Sequence, residues 1–180
     1  MLELSLHILD VVNNSVKAGA QLVTITVEEK IVEDVLRIRI DDDGCGMEED
    51  FLKEVLDPFR TTRTTRKVGM GLSLFRAAAQ QTGGDLTISS QKGVGTSVCA
   101  WFHYHHIDRQ PLGNMSETMM TLISGNITMD FVYRHVVNEK EFVFDTREVK
   151  KILGQEVDFT CPEVVLWMKD YIEEGIQTLK

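Results

Sequence analysis

Residues 41–74 read DDDGCGMEEDFLKEVLDPFRTTRTTRKVGMGLSL, and the order of parts in that stretch decides how the chain is read. An apolar strand runs out into Asp41, Asp42 and Asp43, and Gly44 and Gly46 follow. A Pro58-Phe59 turn comes next, then a basic, threonine-rich segment, then Gly69 and Gly71 at the start of a helix. Either glycine pair alone marks only a tight turn. In this order and company they describe a cradle for a phosphate-bearing ligand. Arg60, Arg63, Arg66 and Lys67 fall within eight residues, which suits either a small anion or a solvated basic loop.

Working outward, the residues on either side supply a scaffold. Leu4, Ile8, Val11, Val12 and Ser15 recur at three- and four-residue spacing and predict an amphipathic helix over about residues 3–18. His7, Asp10, Asn14 and Lys17 share that spacing on a neighbouring face, where a carboxylate, a carboxamide and an ammonium in successive turns suit a metal–triphosphate. Gly19 suits the left-handed end of the helix. Alternation predicts strands at 21–28 and 35–40, joined by a charged turn. A short helix over 48–56 is stopped by Pro58, 61–68 reads as a mobile loop, and a helix from Gly71 stops at Gly83-Gly84. Strands at 86–90 and 97–102 flank the turn at 92–95.

The RQPLG run at 109–113 reads as a boundary. Beyond it we expect a helix at 115–124 and a hairpin of strands at 127–137 and 141–145 around Asn138-Glu139-Lys140. Thr146 is expected to cap a short helix running to Gly154. Pro162 then opens a last helix, whose buried stripe is Val164, Val165, Met168, Ile172 and Ile176. The fold class is therefore α+β: a two-layer α/β sandwich with helices on one face of a mixed or antiparallel sheet, in a domain over 1–108. A small α+β C-terminal module over 109–180 follows, read as partner-binding.

Composition narrows the function classes. With 180 residues, 43% apolar and 26% charged, the chain is of ordinary globular make-up. It has no run of eighteen apolar residues to cross a membrane and no signal-peptide pattern at its start. Cys45, Cys99 and Cys161 are far apart and odd in number, so a reducing cytoplasm is the default. Cys45 reads as a small filler between glycines. A net charge of −9 argues against nucleic acid as partner. His103 and His105 share one strand face, but two imidazoles without a neighbouring carboxylate or thiolate make a poor metal site.

Four boxes now stand in order: Asp10…Asn14-Ser15-Val16-Lys17-Ala18-Gly19-Ala20, Asp42-Asp43-Gly44-Cys45-Gly46-Met47, Pro58-Phe59, and Gly69-Met70-Gly71-Leu72. Together with Gly84-Asp85-Leu86 and Gly93-Val94-Gly95-Thr96, they resemble the GHKL superfamily of gyrase, Hsp90 chaperones, histidine kinases and MutL proteins over about residues 3–103. The short lid is similar to that of anti-sigma-factor serine kinases. The resemblance implies a Bergerat ATP-binding fold with ATP and Mg2+. Asn14 would be the metal ligand and Asp10 the general base; the family often has Glu there, and the shorter Asp implies weak hydrolysis. Asp42 would accept the adenine amino proton, and Thr96 would lie near adenine. Gly44, Gly46 and Met47 would sit by base and sugar. Gly69, Met70, Gly71 and Leu72 would meet the phosphates at a helix N-terminus, with Lys17, Phe59, Arg60 and Arg63 around the same ligand. Asp43 replaces an asparagine often seen there, adding charge near the nucleotide.

Histidine-kinase members carry a helical hairpin with a phosphoacceptor histidine, which has no counterpart before residue 3, and His7 suits a polar helix flank better than phosphoacceptance. The expected function is thus a protein kinase acting on a separate serine/threonine or histidine partner in bacterial regulation, with a homodimer compatible. An ATP-gated switch with slow ATPase activity and a non-catalytic nucleotide-binding scaffold remain as alternatives.

Overall fold

The computed structural model describes residues 2–55 and 70–180. In β1 (Leu22–Lys30) and β2 (Val35–Asp42), Val23, Ile25 and Val27 and then Leu36, Ile38 and Ile40 are buried, while polar residues alternate between them. That period of two turns one face of each strand to the core. The two strands pair antiparallel from Val23↔Asp42 to Lys30↔Val35. β4 (Gly95–His103) pairs antiparallel with β2, and β3 (Asp85–Gln91) with β4.

The chain then crosses back. After residues 109–114, α4 (Met115–Gly125) leads to β5 (Asp130–Val137), which lies parallel to β1 in the register Leu22↔Asp130 to Glu29↔Val137. β6 (Lys140–Asp145) closes the hairpin. Among the described residues the sheet therefore has six strands in the order β3-β4-β2-β1-β5-β6, mixed because β1 and β5 run parallel. Residues after 109 extend this same sheet.

One face of the sheet carries the helices. α1 (Leu4–Lys17), α3 (Gly71–Gln81), α4 and α6 (Pro162–Gln177) contribute Leu4, Ile8, Phe75, Met119 and Met168 to a single apolar cluster that also holds the inward strand residues. Phe75, Phe102, Phe131 and Tyr133 are fully buried at its centre. α2 (Glu49–Val55) and α5 (Thr146–Leu153) are short and peripheral. The opposite face is open: Arg37 and Arg39 are exposed and pair with Glu28 and Asp41 at 3.0 and 2.9 Å.

Three local expectations change. Asp145, not Thr146, caps α5, accepting the Arg147 N–H at 2.9 Å. Thr146 lies inside the helix and is buried because its hydroxyl accepts the Phe131 N–H (3.0 Å) and donates to Asp130 (2.9 Å). On α6 only Met168 and Ile172 are fully covered, with Val164, Val165 and Ile176 half-buried at the margins. A carboxylate does stand beside the late histidines: Asp34, from the β1–β2 turn, meets His103 Nδ1 at 3.0 Å and accepts the His105 N–H at 2.8 Å. No group of three potential metal ligands forms among the described residues.

Candidate nucleotide site

Helix α1 ends in a Schellman motif through Gly19, with Gly19 N–H to Val16 O at 3.0 Å and Ala20 N–H to Ser15 O at 3.1 Å. This fixes where Asn14, Ser15 and Lys17 point. Ser15 is buried, and its hydroxyl donates to Asp42 Oδ2 at 2.6 Å. Asp42 continues the inward row of Leu36, Ile38 and Ile40, so its carboxylate faces the helical layer instead of the open face. Its other oxygen, Oδ1, accepts the Gly44 N–H at 2.9 Å. A carboxylate held by two donors is fixed in one orientation.

The loop after Asp42 is fastened on both sides. The Cys45 N–H donates to Ala18 O (2.9 Å), and Cys45 O accepts from the Gly93 N–H (2.7 Å). Gly46 has φ +66, and a Cβ there would sit 2.0 Å from Gln91 O; only glycine serves at this turn. The Met47 N–H donates to Ser90 Oγ at 2.8 Å, and Ser90 Oγ shares a 2.8 Å hydrogen bond with Thr96 Oγ1. Thr96 is the register partner of Asp42 across the β2–β4 pair, so the expected adenine-side residues do converge. The exposed Glu48–Lys92 pair adds a clip that holds the Glu48 carboxyl below, and the Lys92 ammonium above, their ordinary values.

Gly71 closes the site from α3. A Cβ on Gly71 would lie 3.0 Å from Asp10 Cβ and 3.3 Å from its Oδ2, so a bare helix N-terminus sits against the Asp10 carboxylate. Asp10 and Asn14 are half-buried, Lys17 exposed, and they follow one another along one edge of α1. Met70 is 72% exposed, whereas Leu72 is buried as the first apolar anchor of α3. Phe59, Arg60, Arg63 and Gly69 lie outside the described residues.

Two roles differ from the sequence reading. The Asp43 carboxylate accepts the Gln21 and Leu22 N–H groups at 2.7 and 2.9 Å, fastening the start of β1. His7 is not a solvated flank: it is buried, stacked on Phe75 at 5.0 Å and 10°, with Nε2 3.1 Å from Gln110 Oε1. Among the described residues its Nδ1 has no hydrogen-bond partner. Burial lowers its pKa, outweighing the Gln110 bond and the Asp10 charge. Ser15 and Ser90 were missed as site residues. The usable signal for Ser15 was a hydroxyl inside an otherwise apolar buried stripe, since a buried hydroxyl needs a partner.

The donor set suits a purine nucleotide with a hard cation. Asp42 offers a fixed acceptor beside Gly44 and Gly46, Asn14 a carboxamide oxygen of the kind Mg2+ takes, and α3 a helix start for phosphate.

Comparison with known proteins supports the nucleotide. A family profile described as histidine kinase-, DNA gyrase B- and HSP90-like ATPase matches residues 2–106. The histidine protein kinase DivJ of Caulobacter vibrioides is 34% identical over 95 residues, covering 51% of this chain and 16% of its own. The aerobic respiration control sensor protein ArcB of Escherichia coli is 26% identical over 157 residues, covering 83% and 19%. The chain thus spans less than a fifth of the length of these relatives. Among solved structures, the Aquifex aeolicus MutL ATPase domain complexed with ADP superposes with a TM-score of 0.51 at 14% identity, covering 85% of this chain and 69% of that one. That coverage is more than residues 1–108 alone can supply, so the shared fold takes in part of the tail. The chain belongs to the histidine kinase-, DNA gyrase B- and HSP90-like ATPase family.

Proposed function

We propose that the chain binds ATP with Mg2+ in the recess between α1, the end of β2 and the start of α3, and passes the γ-phosphoryl group to a hydroxyl or imidazole on a separate cytoplasmic protein. The observation that carries this reading is the Asp42 carboxylate, held at 2.6 Å by Ser15 and at 2.9 Å by Gly44. It is a pre-aimed acceptor for an exocyclic amino group, and guanine presents a carbonyl at the matching position. Thr96, Gly44, Gly46 and Met47 surround the same base and sugar.

Asn14 and Lys17 stand one turn apart toward the phosphates, and the backbone N–H groups of Met70, Gly71 and Leu72 open the α3 N-terminus there. A bound Mg2+ would neutralise charge on the phosphate oxygens. Asp10 takes the proton of the attacking hydroxyl. A phosphorus–oxygen bond to a hydroxyl acceptor, or a phosphorus–nitrogen bond to an imidazole that gives up its N–H proton, then forms, the bond to the β,γ-bridging oxygen breaks, and ADP leaves with that oxygen. The kinases among the relatives support transfer over simple hydrolysis. Residues 109–180 are assigned to partner docking, with a homodimer allowed.

The test follows γ-labelled ATP and Mg2+ with the pure protein, with Asn14→Ala as blank. Retained ATP without free phosphate, and label moving to a co-encoded protein when that protein is added, is the expected result. Free phosphate above the blank would mean that Asp10 activates water, and an ATP-gated switch would replace the kinase. Failure to retain any nucleotide would leave only a scaffold.

A further inference from the structure

Helix α6 carries an unassigned surface. Its inner side, Met168 and Ile172, is fully buried, but its outer side leaves Leu166 60%, Trp167 42% and Tyr171 47% exposed. The aromatic rings there are held in place. Trp167 stacks on Tyr171 at 5.7 Å and 17°, and Tyr171 leans on Phe142 of β6 at 5.7 Å. Rings already fixed lose little freedom when a partner covers them. An exposed aromatic pair beside a row of charges offers a partner both an apolar and an electrostatic contact.

The rim is of one sign. Glu163 lies one turn before Leu166 and Trp167, Asp170 one turn after them, and Glu174 one turn beyond Tyr171. All three carboxylates are exposed, and none has an ion pair among the described residues. The cation of this helix, Lys169, is turned away to Glu117 and Glu173 at 3.1 and 3.9 Å. The ledge therefore carries a net negative charge, which repels nucleic acid and anionic lipid and attracts a cationic partner.

We propose that the outer face of α6 docks a basic amphipathic helix of a separate protein. The apolar side of that helix covers Trp167 and Tyr171, and its Lys or Arg side chains face Glu163, Asp170 and Glu174. An arginine among them also fits over the indole face. The inference rests on reading residues 109–180 as partner-facing, but not on phosphoryl transfer.

The test places the photo-crosslinking residue benzoylphenylalanine at Leu166 of the full chain, in its own host, and sequences the captured peptide by mass spectrometry. A helical, net-positive peptide from another protein is expected. A peptide of this same chain, an acidic peptide or no adduct overturns the proposal. The captured segment is then synthesised, labelled and titrated by anisotropy without ATP. Trp167→Ala should raise Kd about 30-fold, and Glu163→Lys with Asp170→Lys about tenfold or more, with loss of the salt dependence. Leu166→Lys, which leaves the ring stack intact, should weaken binding with an unchanged circular dichroism spectrum. Affinity indifferent to salt and to all these changes overturns the assignment. Because neither step needs nucleotide, a failure here and a failure of the ATP assay are read separately.

Discussion

At the scale of single residues, the site turns on a hydroxyl. Ser15 is buried and spends its proton on Asp42. A hydrogen bond to a charged group of this kind contributes about 1.5–3 kcal/mol. Ser15→Ala leaves Asp42 Oδ2 without that donor, so the carboxylate is freer to turn and less well aimed. We expect ATP affinity to fall about tenfold by calorimetry, the equivalent of about 1.4 kcal/mol, with the secondary structure unchanged. His7 gives a second prediction, in pH. Its folded-state pKa lies below the ordinary histidine value because burial disfavours the charged ring. Protons therefore bind the unfolded chain better. The stability that neutral His7 permits is full above the ordinary value and is lost as pH falls through the lowered one. The contribution to the slope is at most about 1.4 kcal/mol per pH unit. Urea midpoints measured from about pH 7 down to about pH 5 should decline less steeply in His7→Leu than in the parent.

At the scale of elements, caps and turns decide where the chain reverses. Asp145 both ends β6 and accepts the Arg147 N–H that opens α5, and the Arg147 guanidinium beside it outweighs burial and holds its carboxyl below the ordinary value. Asp145→Ala should cost about 1 kcal/mol, read as a lower denaturation midpoint with an unchanged m-value. Helix and strand limits were legible in the sequence wherever a period and a stop coincided, as at Gly19, Gly83 and the Asn138-Glu139 turn. The cap of α5 was not, because Asp145 and Thr146 are both good capping residues. Which one caps depends on which is needed elsewhere, and Thr146 is taken by Phe131 and Asp130.

At the scale of the molecule, the parallel β1–β5 pairing is the joint. Eight residue pairs from Leu22↔Asp130 to Glu29↔Val137 bring residues after 109 into the sheet. A buried polar chain crosses the same seam. Tyr133 OH meets His135 Nδ1 at 2.7 Å, His135 Nε2 meets Glu29 Oε1 at 2.6 Å, and Tyr104 OH donates to Glu29 Oε2 at 3.0 Å. Burial raises the Glu29 pKa, but the His135 and Tyr104 bonds outweigh it and hold its carboxyl below the ordinary value. Truncation after Asp108 would bare the β1 edge and the core surface under α4 and α6. The shortened protein is expected to show no cooperative thermal transition and to scatter light, whereas the full chain melts as one unit.

The sequence alone determined that strands alternate, that α1 carries an acid, an amide and an amine on one edge, and that the glycine boxes stand in the order of a nucleotide site. These are local matters of period, spacing and turn chemistry. Only the tertiary structure decided that Ser15 holds Asp42, that Asp43 fastens β1, that His7 is buried, and that the tail completes the sheet. Each of those depends on which distant groups meet, and a hydrogen-bonding group declares its partner only once the register and the packing are set.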